Sequence, residues 1–420
     1  MSQLSSPGDV DRPTSYVARW IVPVEGAPIE RGCVVVRGES IAAVGPRRIA
    51  EGRIVDLGDA VVLPGLVNAH AHLEFSDLTQ PLGSPGVGFA DWIRAVIAHR
   101  RRPGFDAWRA VRLGLDEVLR SGTTTIGEIA AVDPFRWFAD PPPSPRPDVT
   151  AFVELIGLRV ERCSAEERKL AECVAAGRAG PVRPGVSPHA PYTVRPEFVA
   201  AAAAASRSHR LPLAMHLAES REELRLLAAG DGPLVELLKD MNAWDSQAIA
   251  RDSRPQGYLR ALTAAHRSLV VHGNYLQADE VALLAEHSDR MSVVYCPRTH
   301  AHFQHAPHPL PQLLAAGATV CLGTDGRCTN PDLDLRAELR EVAERHPQIS
   351  PGRIVRLGTL DGARALGTAH ESGSLVAGKR ADLLVVRGAD SSFGPEAAAW
   401  APGARVDRVL VRGRPLFFDD

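Results

Sequence analysis

Short apolar runs alternate with helical patterns through the middle of the chain, and no other feature limits the possible folds as tightly. The runs are "GLVNAHAH", "TTTIGEI", "VTAFVELIG", "GVSPHA", "LPLAMHLAE", "SLVVHGN", "MSVVYCP" and "ATVCLGTDG". Between most of them lie segments with apolar residues at helical spacing, among them "FADWIRAVIAHRR", "DAWRAVRLGLDEVLRSG", "PEFVAAAAAASRSH", "ESREELRLLAAG" and "DEVALLAEH". Several of these close on glycine or a basic residue, as helices do. Strand–helix alternation builds parallel sheets, because each return crossing needs a covering helix. The pattern predicts an α/β fold whose main part, residues 64–368, is a (β/α)8 TIM-like barrel.

The two ends read differently. "YVARWIVPV" and "RGCVVVRGESIAAVG" near the start, and "GSLVAGKRADLLVVRG" and "RVDRVLVRGRPLF" near the end, are β-branched runs broken by Gly, Lys and Arg. They predict a small β-sandwich domain formed by both termini, residues 16–63 and 369–420. Residues 1–15 are polar, lack an apolar signal core and read as a disordered tail. The Pro-rich "ADPPPSPRPDV", 139–149, and the stretch 241–260 read as long loops near a barrel mouth.

Composition narrows the partners. A formal net charge of −2 gives no overall pull toward nucleic acid or an anionic membrane. No run of about 18 apolar residues is present to span a bilayer. The six cysteines contain no CxxC pair and read as free thiols of a reducing compartment. These readings point to a cytoplasmic enzyme acting on a small molecule.

In a (β/α)8 barrel the chemistry collects where strands end. The first run ends in His70 and His72, the fifth in His216, the sixth in His272 and the eighth in Asp325. Side chains two apart share a strand face, so His70 and His72 can grip one ion. His216 and Asp325 would complete an N3O set for one divalent metal, which suits Zn2+ and accommodates Fe2+. A lone strand-end histidine is more often a hydrogen-bonded core residue; the joint pattern carries the metal reading. Glu219, three residues past His216, can reach above the metal and shuttle protons if burial raises its pKa. Its alternative role is a helix cap. The fourth run brings His189 and no lysine that could bridge two metals, which favours a mononuclear site. "THAHFQHAPHPL" holds His300, His302, His305 and His308, a second HxH, but Pro297 breaks the preceding strand. That segment reads as a covering loop, either facing substrate or structural. No G-x-S-x-G elbow or Walker loop occurs, and Cys296 reads as a buried thiol.

Together, "PGLVNAHAHLEF", "SGTTTIGEI", "SPHAPYTV", "HLAES", "VVHGN", "CPRTH", "LGTDG" and "GSLVAGKRADLLVV" resemble the amidohydrolase superfamily, from about residue 20 to the end. Within it the chain is similar to the deaminase and chlorohydrolase branch, and "HLEFSDL…FADWIRAVIAHR" looks closest to the aminofutalosine deaminase group. The resemblance implies hydrolytic deamination of an aminated heterocycle, best matched by 6-amino-6-deoxyfutalosine on the futalosine route to menaquinone. It implies that Asp325 also accepts the proton of the attacking water, that His272 hydrogen-bonds the attacking oxygen, and that Glu219 protonates the ring nitrogen. His189, Glu74 and Arg327 are candidates for substrate contact. Arg327, in "TDGRCTNPDLDL", departs from the small residues expected there and can equally point outward. The alternatives are S-adenosylhomocysteine, methylthioadenosine or guanine-type deamination and chlorotriazine hydrolysis. Outside that branch stand a dinuclear amide hydrolase and a non-catalytic barrel. A homodimer is a family expectation.

Overall fold

The computed structural model describes residues 12–131, 133–140, 146–177, 182–250 and 252–417. A parallel sheet runs in chain order through Leu66–His72, Thr123–Ala130, Asp148–Leu155, Val182–Pro188, Pro212–Leu217, Arg267–His272, Met291–Tyr295 and Thr319–Leu322. These eight are numbered first to eighth in that order, and each lies within or across one of the eight apolar runs. After Leu322 the chain breaks for two residues and resumes as Asp325–Gly326, which pairs in parallel with Ala71 and His72 of the first strand. The sheet therefore curls until its last run meets its first, in a TIM-like arrangement. The first, second and third strands are buried at every position. Helices cover one face and side chains fill the other, which is why these strands read as continuous apolar runs without alternation.

The covering helices show the usual local logic. In Ala107–Arg120, Trp108, Val111, Leu115 and Val118 form one buried stripe. Asp106 caps this helix by accepting from the Arg109 backbone N–H.

Strands from both ends of the chain hydrogen-bond into a second, separate sheet. Thr14–Ile21, Ile29–Arg37, Ser40–Pro46, Arg53–Asp56 and Ala60–Pro64 come from the N-terminal side. Leu383–Arg387, Arg405–Val411 and Arg414–Phe417 come from the C-terminal side. The join is Ala60–Pro64, antiparallel to Leu383–Arg387 and parallel to Trp20 and Ile21. Leu63, Leu384, Val386 and Val409 pack into the core shared with the barrel, while Tyr16, Val34, Ile41, Val62 and Leu383 form a core of their own. Arg380 pins the two sheets together: it pairs with Asp148 of the third barrel strand and donates to Thr125 Oγ1 of the second at 2.8 Å. The chain passes between the sheets at Gly65, where a Cβ would fall 2.1 Å from Thr124 Oγ1.

Three expectations are corrected. The first strand of the second sheet begins at Thr14, inside the stretch read as tail, because Thr14 and Ser15 pair with Val36 and Val35; residues 1–11 lie outside the described residues. The segment after Pro297 begins as a helix, Pro297–His302, since a proline at the first helical position has no N–H to lose and a preset φ. The stretch 241–260 contains the start of a helix, Pro255–Leu262, for the same reason. In the Pro-rich segment, 141–145 lie outside the described residues. Among the described residues no helix is long and apolar enough to cross a membrane.

Candidate active site

Four strand ends meet at one mouth. His70 and His72 close the first strand, His216 sits near the end of the fifth and His272 ends the sixth; Asp325 lies in the continuation of the eighth. The Nε2 atoms of His72 and His216 are 3.3 Å apart. Asp325 Oδ1 is 3.5 Å from His70 Nε2 and 3.6 Å from His72 Nε2. Four donors about 2.0–2.1 Å from a tetrahedral ion stand about 3.3–3.4 Å from one another, so these spacings fit one cation at their centre. His70 Nε2 is buried and has no hydrogen-bond partner. An orphaned imidazole nitrogen facing two other nitrogens and a carboxylate is costly unless something binds it. The donor set therefore fits a divalent metal.

The supports behind these groups are built in. His216 Nδ1 lies 3.0 Å from the His189 carbonyl, an arrangement that puts the proton on Nδ1 and frees Nε2. Asn68 links the first and eighth strand ends, donating to Thr324 Oγ1 at 2.7 Å and accepting from the Thr324 N–H at 3.1 Å. Thr299 donates to Asp325 Oδ2 at 3.1 Å, which leaves Oδ1 turned to the histidines. His272 and Asp325 both hold positive φ, 71° and 58°. Backbone held in that region by non-glycine residues is strained, and here it aims functional groups at the mouth.

Glu219 stands beside this cluster, its Oε1 3.3 Å from His272 Nε2. Capping of the helix Arg221–Ala229 falls to Ser220, whose hydroxyl accepts from the Glu223 N–H. The carboxylate of Glu223 in turn accepts the Ala218 and Glu219 N–H groups at 2.8 and 2.9 Å, fixing the turn that presents Glu219. Burial pushes the Glu219 carboxyl well above the ordinary carboxylate range, and the charges of Asp325, Glu223 and Glu222 add to it. A carboxyl shifted in that direction is better suited to hold and pass on a proton than an exposed one. Burial lowers His272 to about 3, so its imidazole is neutral.

A cavity of about 280 Å³ opens above these residues. His72, His189, His216, Glu219, His272 and Asp325 form its floor; Phe89, Trp92, Ile156 and Leu158 contribute apolar wall. Arg100, Arg101, Arg159 and Arg162 also line it.

A model of the amidohydrolase family matches residues 61–416. The chain belongs to the amidohydrolase family. This amidohydrolase falls on the deaminase and chlorohydrolase branch. It is 30% identical to a 5-methylthioadenosine/S-adenosylhomocysteine deaminase of Moorella thermoacetica, over 94% of this chain and 92% of that one. Its fold matches aminofutalosine deaminase of Helicobacter pylori with a TM-score of 0.80 at 22% identity, covering 96% of this chain and 100% of that one. It also matches a zinc-bound adenosine deaminase of Xanthomonas campestris with a TM-score of 0.73 at 24% identity, covering 96% and 92%.

Of the other sequence-derived candidates, His189 reaches the cavity, whereas Glu74 and Arg327 do not line it. Alternation stops at His72: Leu73–Phe75 is a 3-10 turn, and Glu74 turns away to pair with Arg100, whose Nε is 3.3 Å from Oε2. Arg327 forms a two-point ion pair with Glu117 at 2.9 and 3.1 Å and donates to the Leu78 carbonyl at 2.8 Å. Glu74 and Arg327 are thus each matched by an opposite charge within this amidohydrolase.

The second histidine group does not converge. His300 Nε2 meets the Ala306 carbonyl at 2.8 Å, His302 the Leu82 carbonyl at 3.2 Å and His308 the His272 carbonyl at 3.0 Å, while His305 Nδ1 meets the Tyr275 hydroxyl at 3.0 Å. Among the described residues the only group of histidine, cysteine or carboxylate ligands spaced to hold an ion is His70, His72 and His216.

Sequence reasoning missed Glu128 and Glu154. Both are carboxylates inside apolar strand runs, the same signal that exposed the histidines. Glu128 accepts the Leu73 N–H at 3.1 and 3.0 Å and so sets the turn after His72. Glu154 lines the cavity.

Proposed function

We propose that this amidohydrolase is a mononuclear metal-dependent deaminase of a nucleoside, releasing ammonia from the aminated ring. The observation that carries the reading is the orphaned Nε2 of His70 within a ligand-spaced set, next to the buried Glu219. His70, His72, His216 and Asp325 would hold the cation, taken as Zn2+. When bound, it supplies a water nucleophile at neutral pH. Asp325 takes that water's proton while Thr299 steadies its other oxygen. His272 hydrogen-bonds the attacking oxygen. Glu219 would give a proton to the ring nitrogen beside the attacked carbon; the carbon–nitrogen bond then breaks as ammonia leaves with the proton that Asp325 took from the water, and the attacking oxygen's remaining proton returns to Glu219, leaving a ring carbonyl. The division into a barrel of residues 64–368 and a small β-sandwich from both termini belongs to the same reading, supported by the shared second sheet.

The rim supports a substrate with an anionic tail. Arg100 is offset by Glu74, and Arg159 lies 3.2 Å from Glu161. Among the described residues, Arg101 and Arg162 have no carboxylate partner. Aminodeoxyfutalosine, which ends in a benzoate, and S-adenosylhomocysteine, which ends in an amino-acid carboxylate, suit that rim. Methylthioadenosine and 5′-deoxyadenosine offer it nothing. The apolar wall of Phe89, Trp92, Ile156 and Leu158 favours the aryl tail, so aminodeoxyfutalosine is our first choice. Metal analysis together with ammonia release across these four nucleosides, guanine and a chlorotriazine tests the reading. One metal per chain and highest kcat/KM on aminodeoxyfutalosine is the expected outcome. Two metals per chain, or no ammonia from any nucleoside, overturns it.

A further inference from the structure

A second cavity, of about 540 Å³, opens at the other end of the barrel, where the strands begin. Arg183, Pro212 and Arg267 line it from the starts of the fourth, fifth and sixth strands, and the helices Pro196–His209 and Leu360–Leu366 end beside it. Its titratable lining is one-sided. Among the described residues, Arg183, Arg210, Arg267, His209, His266 and His370 face a single carboxylate, Glu371. Glu371 is already matched, because Arg183 pairs with both it and Asp148. Arg210 and Arg267 are left with no ion-pair partner among the described residues.

Helix ends account for only part of this charge. Arg267 Nη1 donates to the Arg364 carbonyl in the last turn of Leu360–Leu366 at 2.7 Å, which uses one of the guanidinium's five N–H donors. Burial disfavours the Arg267 charge, and Asp289 opposes this only from a distance. Arg210 closes the helix Pro196–His209 in the left-handed conformation, φ 55°, where glycine is the ordinary occupant. Its backbone N–H meets the Ser206 carbonyl, a bond that glycine would make equally well. The cap therefore does not call for an arginine. Burial, together with the charges of Arg210, Arg267 and Arg207, holds the His266 imidazole below its ordinary value, so these cations act on one shared space. Like charges gathered around a cavity repel one another, and an anion among them removes that cost. Guanidinium forks match phosphate oxygens in pairs. A concave wall at the end of the barrel suits a compact group better than an extended strand of nucleic acid.

We propose that this cavity binds a compact, multiply charged oxyanion, a phosphate or diphosphate group, through Arg210 and Arg267. The site lies at the opposite end of the barrel from the deaminase mouth and stands independently of that reading. The test is calorimetric titration of the full-length protein with inorganic phosphate, inorganic diphosphate and, as a monoanion, acetate. Diphosphate should bind once per chain and at least about tenfold more tightly than acetate, as charge-assisted hydrogen bonds to two arginines require. Arg267→Gln and Arg210→Gly should each weaken it by about tenfold or more, with metal content and turnover unchanged. Arg210→Gly should also melt no lower than wild type, because glycine suits the left-handed cap; this separates a ligand role from a capping one, and the variant serves alone if Arg267→Gln does not fold. Three results overturn the proposal: no saturable diphosphate binding, binding that Arg210→Gly leaves intact, or binding lost instead when Arg101 and Arg162 at the deaminase mouth are changed to glutamine.

Discussion

The two histidine groups contain the same motif and do opposite things. His70-x-His72 ends a strand, points its nitrogens at His216 and Asp325, and leaves His70 Nε2 without a partner. His300-x-His302 lies in a short helix, where residues two apart diverge, and each ring commits Nε2 to a different backbone carbonyl. The spacing H-x-H is thus a metal signal only on a strand, where period two keeps both rings on one face. The helical pair does structural work: His300 closes its own segment onto Ala306, and His302 ties that segment to Leu82.

That contrast can be broken most sharply by metal analysis. His70→Ala and His216→Ala should each lose most of the bound metal and all measurable turnover, while His300→Gln and His302→Gln should keep a full complement. Equal metal loss from both groups would erase the distinction. Next in size is Glu219→Gln, which leaves the ligand set intact; its metal content should match wild type while kcat falls about 10²- to 10⁴-fold, the usual contribution of a positioned proton donor. Wild-type turnover in this variant removes Glu219 from the chemistry.

Smaller effects sharpen the structural side. His308 donates to the His272 carbonyl and stacks on Tyr295 with ring centroids 3.9 Å apart. His308→Leu should cost about 1–3 kcal/mol of stability through the unsatisfied carbonyl, read by denaturant unfolding, with metal retained. The smallest effect is in pH dependence. Burial lowers His300 from 6.5 to about 4. The unfolded chain takes up a proton at higher pH than the folded one, so protonation favours unfolding. The stability involved is fully present above pH 6.5 and is lost as pH falls toward about 4. His300→Gln should flatten that part of the stability–pH curve; an unchanged slope would mean that the ring titrates in the folded state much as it does in the unfolded chain.

Much of the fold was legible because its signals are local. Each barrel strand announced itself as an apolar run of strand length, and most carried a polar residue at the end where a parallel sheet opens. His70, His72, His216, His272, Asp325 and Glu219 were readable on that basis. The helix after Pro297 was not, because a proline that ends one element can equally begin another, and only the packing of the downstream residues selects between them.

What the sequence by itself determined was the periodicity of each segment, and with it which side chains leave the core at a strand's end. What only the tertiary structure decided was who meets whom. Arg327 and Glu117 are 210 residues apart in the chain, yet their ion pair settles that Arg327 does not line the cavity. Glu74 pairs with Arg100 and does not line the cavity, whereas Glu154 does. A charge's role depends on its partner, and partners are chosen by contacts between distant segments that no local pattern encodes.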